Sequence, residues 1–161
     1  MKHIPLNQLL EEEQICKIKE RWYNMKYITN PSEKVQLEFV KKYPLNINLI
    51  IEKGIIPSEQ VQLEAVKQNG NAIQYIINPS EQIKLEAVKN NGYAIQYITN
   101  PSEQIKLEAV KNNGHAIQYI INPSEEIKLE AIKEDDSAIQ YITNPSEQIK
   151  LEFIFKRYLN I

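Results

Sequence analysis

Cysteine is almost missing from this chain. Cys16 is the only one, which excludes a disulfide framework and a cysteine-based zinc site. Histidine is confined to His3 and His115, and aspartate to Asp135 and Asp136, so the usual general bases and metal ligands are scarce. The glycines are Gly54, Gly70, Gly92 and Gly114, far apart, and they build no glycine-rich loop for a phosphate. No run approaches the roughly 18 consecutive apolar residues of a membrane helix. Met1-Lys2-His3-Ile4-Pro5 leads into Glu11-Glu12-Glu13 without a secretory apolar core, so a cytoplasmic location is expected. A dominant charge is also lacking. Lys plus Arg number 19 and Asp plus Glu 21, a formal net charge of −2 over 161 residues. That balance excludes a strongly basic nucleic-acid binder and an acidic tail protein. No catalytic residue, cofactor or metal site is expected, and the chain reads as a non-enzyme.

Repetition is what the sequence has in abundance. The pentad Pro-Ser-Glu-Gln/Glu-Ile/Val starts at Pro57, Pro79, Pro101, Pro123 and Pro145, always 22 residues apart. An earlier copy, Pro31-Ser32-Glu33-Lys34-Val35, precedes Pro57 by 26 residues because Lys53-Gly54-Ile55-Ile56 is inserted. The copies starting at Pro79 and Pro101 differ only at Tyr93/His115 and Thr99/Ile121. A short fixed period is the signature of a solenoid. The predicted units are an N-terminal helical cap over 1–30, repeats over 31–56, 57–78, 79–100, 101–122 and 123–144, and a C-terminal capping helix over 145–161. The insertion is expected to interrupt or bend the stack.

Each copy carries helix punctuation. Asn78 reads as an N-cap, Pro79 as the first helical residue and Glu81 as the return partner of a capping box. Asn91-Gly92 reads as a stop in which glycine takes the left-handed conformation. A long helix A is therefore expected from about Pro79 to Asn90. Ala94-Ile95-Gln96-Tyr97-Ile98 has helical spacing and reads as a short helix B, partly 3₁₀. A strand is the rival reading, since Ile and Tyr favour sheets. On helix A, Ile83, Leu85, Ala87 and Val88 cover about 200° of the wheel, an arc wide enough to meet more than one neighbour. The expected class is all-α: an α-solenoid of two-helix repeats. Residues 7–22 read as a longer helix with apolar Leu9, Leu10, Ile15, Ile18 and Trp22. Leu151, Phe153, Ile154 and Phe155 read as a bulky seal at the other end.

The run Ala87-Val88-Lys89-Asn90-Asn91-Gly92-Tyr93-Ala94-Ile95-Gln96-Tyr97 resembles a family of short repeats of unknown function found in bacterial, phage and giant-virus proteins, with the pattern Ala-Val-Lys-x-Asn-Gly-x-Ala-Ile/Leu-x-Tyr. The layout is also similar to HEAT-like and leucine-rich-repeat-variant solenoids. That likeness implies protein binding and no catalysed reaction. It is a fold-level warrant only.

Candidate contact residues come from the columns that the repeats generate. The residue after the glycine varies, as Asn71, Tyr93, His115 and Ser137, and reads as free of packing and able to face a ligand. Tyr75, Tyr97, Tyr119 and Tyr141 form an aromatic column at the edge of helix B, with rings buried and hydroxyls wet, or else a strip for partner contact. Gln74, Gln96, Gln118 and Gln140 bond between layers or face water. The repeat over 123–144 is acidic through Glu125, Glu126, Glu130, Glu134, Asp135 and Asp136, and acidic clusters can steer a basic partner. Lys84, Lys106, Lys128 and Lys150 form a column that is able to track a nucleic-acid backbone, but Glu86, Glu108, Glu130 and Glu152 follow closely. The glutamates of the first helical turns, such as Glu81, would repel an anion at the helix N-termini. His115 reads as a surface residue and Cys16 as a small buried hydrophobe.

The expectation is a non-catalytic protein-protein interaction module. The family's distribution suggests one form of it, a phage-encoded inhibitor that sterically blocks a larger machine. Nucleic-acid binding along the lysine and tyrosine columns is the second reading. Self-association into a scaffold is the third.

Overall fold

The computed structural model describes residues 5–159. Among these the elements are helices and turns, without a strand, which settles helix B against the sheet reading. The α-helices are α1 (Glu11–Glu20), α2 (Glu33–Lys42), α3 (Asn48–Ile51), α4 (Glu59–Gln68), α5 (Glu81–Asn90), α6 (Glu103–Asn112), α7 (Glu125–Glu134) and α8 (Glu147–Leu159). All but α3 are helices of the A type, and each packs on the next A helix along the chain. Helix B is a 3₁₀ segment: Trp22–Tyr27, Gly70–Tyr75, Gly92–Tyr97, Gly114–Tyr119 and Asp136–Tyr141. These segments form a second column beside the first. The protein is an α-solenoid whose layers are spaced by about 10 Å, the distance at which helices pack.

The start of helix A differs from the sequence expectation. Ser80 is the N-cap of α5: its Oγ accepts from the Ile83 N–H at 3.4 Å. Asn78 instead sits in a left-handed turn with φ of 50°, as do Asn100 and Asn122. Asparagine tolerates that conformation better than most residues. With Ser80 as the cap, Glu81 is the first helical residue and cannot close a capping box. The glutamates of this column reach sideways. Glu59 accepts from Ser80 Oγ at 2.7 Å, and the same bond joins Ser32 to Glu11, Ser58 to Glu33 and Ser146 to Glu125. One serine hydroxyl thus caps its own helix and latches to the layer before.

The helix stop is also resolved differently. Asn91, with φ of −148°, ends α5, and its side chain accepts from the Tyr93 N–H at 3.1 Å to open the 3₁₀ segment. Gly92 is not left-handed. It is glycine because the next layer leaves no room, a Cβ there standing 2.5 Å from the carbonyl oxygen of Ala109. Gly70 and Gly114 meet Ala87 and Ala131 in the same way. Small alanines in helix A and glycines before helix B let the backbones touch, and Ile83, Val88, Ile95 and Ile98 fill the space between them, all buried.

Three further expectations change. Residues 7–22 do not form one helix. They contain a short 3₁₀ turn (Leu6–Gln8), α1 and the start of the next 3₁₀ segment, so the region already has the A/B layout, and Leu10 and Trp22 are exposed. The insertion leaves the stack unbroken, because α4 packs directly on α2. Its residues are absorbed where 3₁₀ Pro44–Ile47 runs into α3, and Gly54, with φ of 76°, turns the chain back. In α8 Phe153 packs against the core, whereas Leu151, Ile154 and Phe155 are exposed.

Candidate functional site

The 3₁₀ column presents one face to solvent, and the variable and tyrosine columns meet on it. The variable residues are half-buried, contrary to the reading of them as free of packing. Asn71, Tyr93 and His115 lean on the following layer, and Ser137 meets His115 of the layer before. The Tyr93 ring meets Tyr119 edge-on at 6.0 Å, and His115 meets Tyr141 at 5.4 Å. Asn71 Oδ1 accepts from Asn91 Nδ2 at 2.9 Å. The physical reason is the right length: a side chain at the start of one 3₁₀ segment spans the gap to the end of the next. Variation here therefore changes interlayer packing and surface together. Tyr75, Tyr97, Tyr119 and Tyr141 remain between 36% and 41% exposed, enough for ring edges and hydroxyls to be reached. Gln74, Gln96, Gln118 and Gln140 bond within their own layers, each Nε2 donating to the carbonyl three residues earlier.

His115, Ser137 and Asp135 converge. His115 Nε2 lies 2.6 Å from Ser137 Oγ and 3.2 Å from Asp135 Oδ2, and Ser137 Oγ donates to Asp135 Oδ1 at 2.6 Å. A hydrolytic triad needs the carboxylate and the hydroxyl on opposite ring nitrogens. Here both approach Nε2, and the serine proton points at the aspartate, so the cluster is an interlayer clasp. The Ser137 hydroxyl, aided by its backbone N–H and by His115 and Lys156, holds the Asp135 carboxyl below its ordinary range.

The acidic residues do not form one patch. Glu125 and Glu126 lie in the first turn of α7, while Glu134 ends that helix and Asp135 and Asp136 follow it, roughly 14 Å away along the axis. Asp135 caps the 3₁₀ segment, and Asp136 pairs with Arg157 at 3.6 Å. Cys16 is exposed rather than buried. His3 lies outside the described residues.

The columns treated separately in the sequence come together in a row of grooves between layers. Lys84 and Tyr97 line one of about 340 Å³ with Pro79 and Thr99. Lys106 and Tyr119 line one of about 500 Å³ with Pro101 and Ile121. Lys128 and Tyr141 line one of about 480 Å³ with Pro123 and Thr143. A smaller apolar groove of about 170 Å³ precedes them, with Ile55, Ile56 and Ile77, and here Gln62 stands in the lysine position. The lysines are mostly covered, with side chains 18–23% exposed, and pair within the helix to Glu81, Glu103 and Glu125. The sequence signal for these grooves was the shared period of the two columns. The antiparallel return of helix B, which sets its last residue beside the first turn of helix A, was not visible in it. Among the described residues no group of three or more His, Cys, Asp or Glu side chains is placed to hold a metal ion, and no helix is long and apolar enough to cross a membrane.

Residues 58–102 and 80–124 each match the model of a domain of unknown function, DUF4116. The two matches are offset by the 22-residue period of the repeat. No curated protein and no solved structure matches the chain.

Proposed function

We propose that the protein is an interaction module that holds a protein partner along its 3₁₀ face. The observation that carries this is the row of equivalent interlayer grooves, each with a half-exposed tyrosine on one wall. Tyrosine gives a large contact at low entropic cost. The grooves recur about every 10 Å, and an extended peptide advances about 3.3 Å per residue, so every third residue of a bound segment meets a groove. The exposed Ile56, Ile77 and Ile121 on the turn edge add apolar contacts. Such a module acts by occupying a partner's surface, which suits steric inhibition of a larger assembly, including the phage-encoded inhibitor suggested by the repeat family.

The lysines of the grooves also bear on nucleic-acid binding. Each is matched by a carboxylate one helical turn away, so the row has little net positive charge to release counterions.

Affinity capture with the full chain, followed by mass spectrometry, tests the proposal. The paired variant Tyr97→Ala, Tyr119→Ala should lose the captured protein while keeping its helical circular dichroism. Capture unchanged in that variant would reject this face as the binding surface. A salt-sensitive gel shift with single-stranded nucleic acid would favour the other reading.

A further inference from the structure

The two ends of the stack are built in opposite ways. In every inner layer, helix A uses one set of positions to meet the layer before it and another to meet the layer after. Val35 and Phe39 of α2, which packs on α1, are fully buried. The equivalent positions of α1 are Glu13 and Lys17, both exposed. This face of α1 is therefore polar.

α8 does the reverse. Its exposed positions Glu147, Leu151, Ile154, Phe155 and Tyr158 are spaced as one stripe of a helix. Ile154 is 47% exposed, whereas its counterpart Ile132 in α7, covered by α8, is 0% exposed. Phe155 takes the place of a lysine that recurs as Lys67, Lys89, Lys111 and Lys133. An outward-facing cation has thus become an aromatic ring on the one layer that no described element follows. Leu151, Phe155 and Tyr158 are all about half exposed or more. A contiguous stripe of this kind marks an interaction surface.

We infer that this stripe is the interface of a symmetric dimer in which α8 packs antiparallel on α8 of a second copy. Two features of the surface select that occupant. First, Ile154 at the middle of the stripe repeats the position at which Ile132 is buried where α7 packs on α8, so helix-on-helix packing is what this part of the face fits. Second, its polar ends are self-complementary. Glu147, which pairs with Lys150 of its own helix at 2.6 Å and keeps its side chain 85% exposed, lies at one end of the stripe with a second carboxylate oxygen free to accept, and Tyr158, a hydroxyl donor, at the other. A two-fold axis near the middle sets Leu151 against the second copy's Ile154 and Phe155, and each Glu147 against the second copy's Tyr158. Head-to-tail stacking instead presses this stripe on Glu13 and Lys17, stripping water from charges without supplying partners. The interface uses neither the tyrosine column nor the grooves, so it stands apart from the proposed partner face.

Sedimentation equilibrium of the full chain across micromolar concentrations tests the inference. The expected result is a monomer–dimer equilibrium that goes no further, because a two-fold interface closes on itself. Phe155→Lys restores the residue of the inner layers and should weaken dimerisation on the order of a hundredfold, since two rings leave the interface at once. Ile154→Gln should act in the same direction, and circular dichroism of both variants should keep the wild-type helical spectrum. Tyr158→Phe should weaken the dimer severalfold by removing the hydroxyl. A wild-type chain that stays monomeric, a mass that grows past two chains, or a dimer indifferent to Phe155→Lys and Ile154→Gln each overturns the proposal. Indifference to Tyr158→Phe overturns the antiparallel register.

Discussion

Gly92 and Ala109 touch through their backbones: a methyl group on Gly92 would stand 2.5 Å from the Ala109 carbonyl oxygen. Gly92→Ala is therefore an overpacking change, expected to cost about 1–3 kcal/mol. Gly54 is the contrast, with open space around it and a left-handed φ of 76°. Gly54→Ala should cost about 1 kcal/mol from backbone strain, and Gly54→Asn less, because asparagine accepts that conformation. At Gly92, asparagine should be no better than alanine. Urea midpoints of the four variants check the distinction, and recovery of Gly92→Asn towards wild type would contradict the close-approach account.

The Pro-Ser-Glu pentad supplies the second prediction. Ser80 caps α5 and donates to Glu59 of the layer before. Ser80→Ala should lower stability by about 1 kcal/mol or slightly more, the ordinary value of a cap. Asn78→Gly should be close to neutral, since the position is left-handed with φ of 50° and glycine pays no steric cost there. Were Asn78 the cap, the two variants would rank the other way in thermal melts.

Asn112 bridges two layers with both ends of its amide. Its Oδ1 accepts from the Gly92 N–H at 2.6 Å, and its Nδ2 donates to the Lys89 carbonyl at 2.8 Å. Asn90 does the same for Gly70 and Lys67. Asn112→Ala leaves a partly buried N–H and a carbonyl without these partners and should cost about 1–3 kcal/mol. Asn112→Asp keeps an acceptor for Gly92 but cannot donate to Lys89. It should fall between wild type and alanine in chemical denaturation at neutral pH.

Glu38 ties α2 to α1. Hydrogen bonds from Lys19 at 2.6 Å and Lys41 at 2.7 Å lower its pKa from 4.5 to about 2. A depressed folded-state pKa gives stability that is present above pH 4.5 and is lost as pH falls through about 2. Glu38→Gln should be less stable than wild type at neutral pH, with a flatter acid limb over that window. Equal pH slopes for the two chains in that range would show that the pair does not bind the layers in solution.

The sequence alone determined the period, the helical class and the identity of the buried columns. A 22-residue repeat of Ile, Leu, Ala and Val at helical spacing has few other ways to remove that surface from water, and those residues appear in the core as expected. Both columns later found on the grooves, Lys84 with its equivalents and Tyr97 with its equivalents, were also visible by their recurrence. What tertiary structure decided was the partner of each polar group. Asn78 and Glu81 fit a local capping box, yet Ser80 is the cap and donates to Glu59 of the layer before, while Glu81 pairs with Lys84. Gly92 fits a local helix stop, yet its requirement comes from Ala109. His115 looked free, and it is clasped by Ser137 and Asp135 of the following repeat. Apolar burial depends on spacing within one segment, so it is written locally. Hydrogen-bond direction and close approach depend on the distance and register between segments about 22 residues apart, and only the stacked chain fixes those.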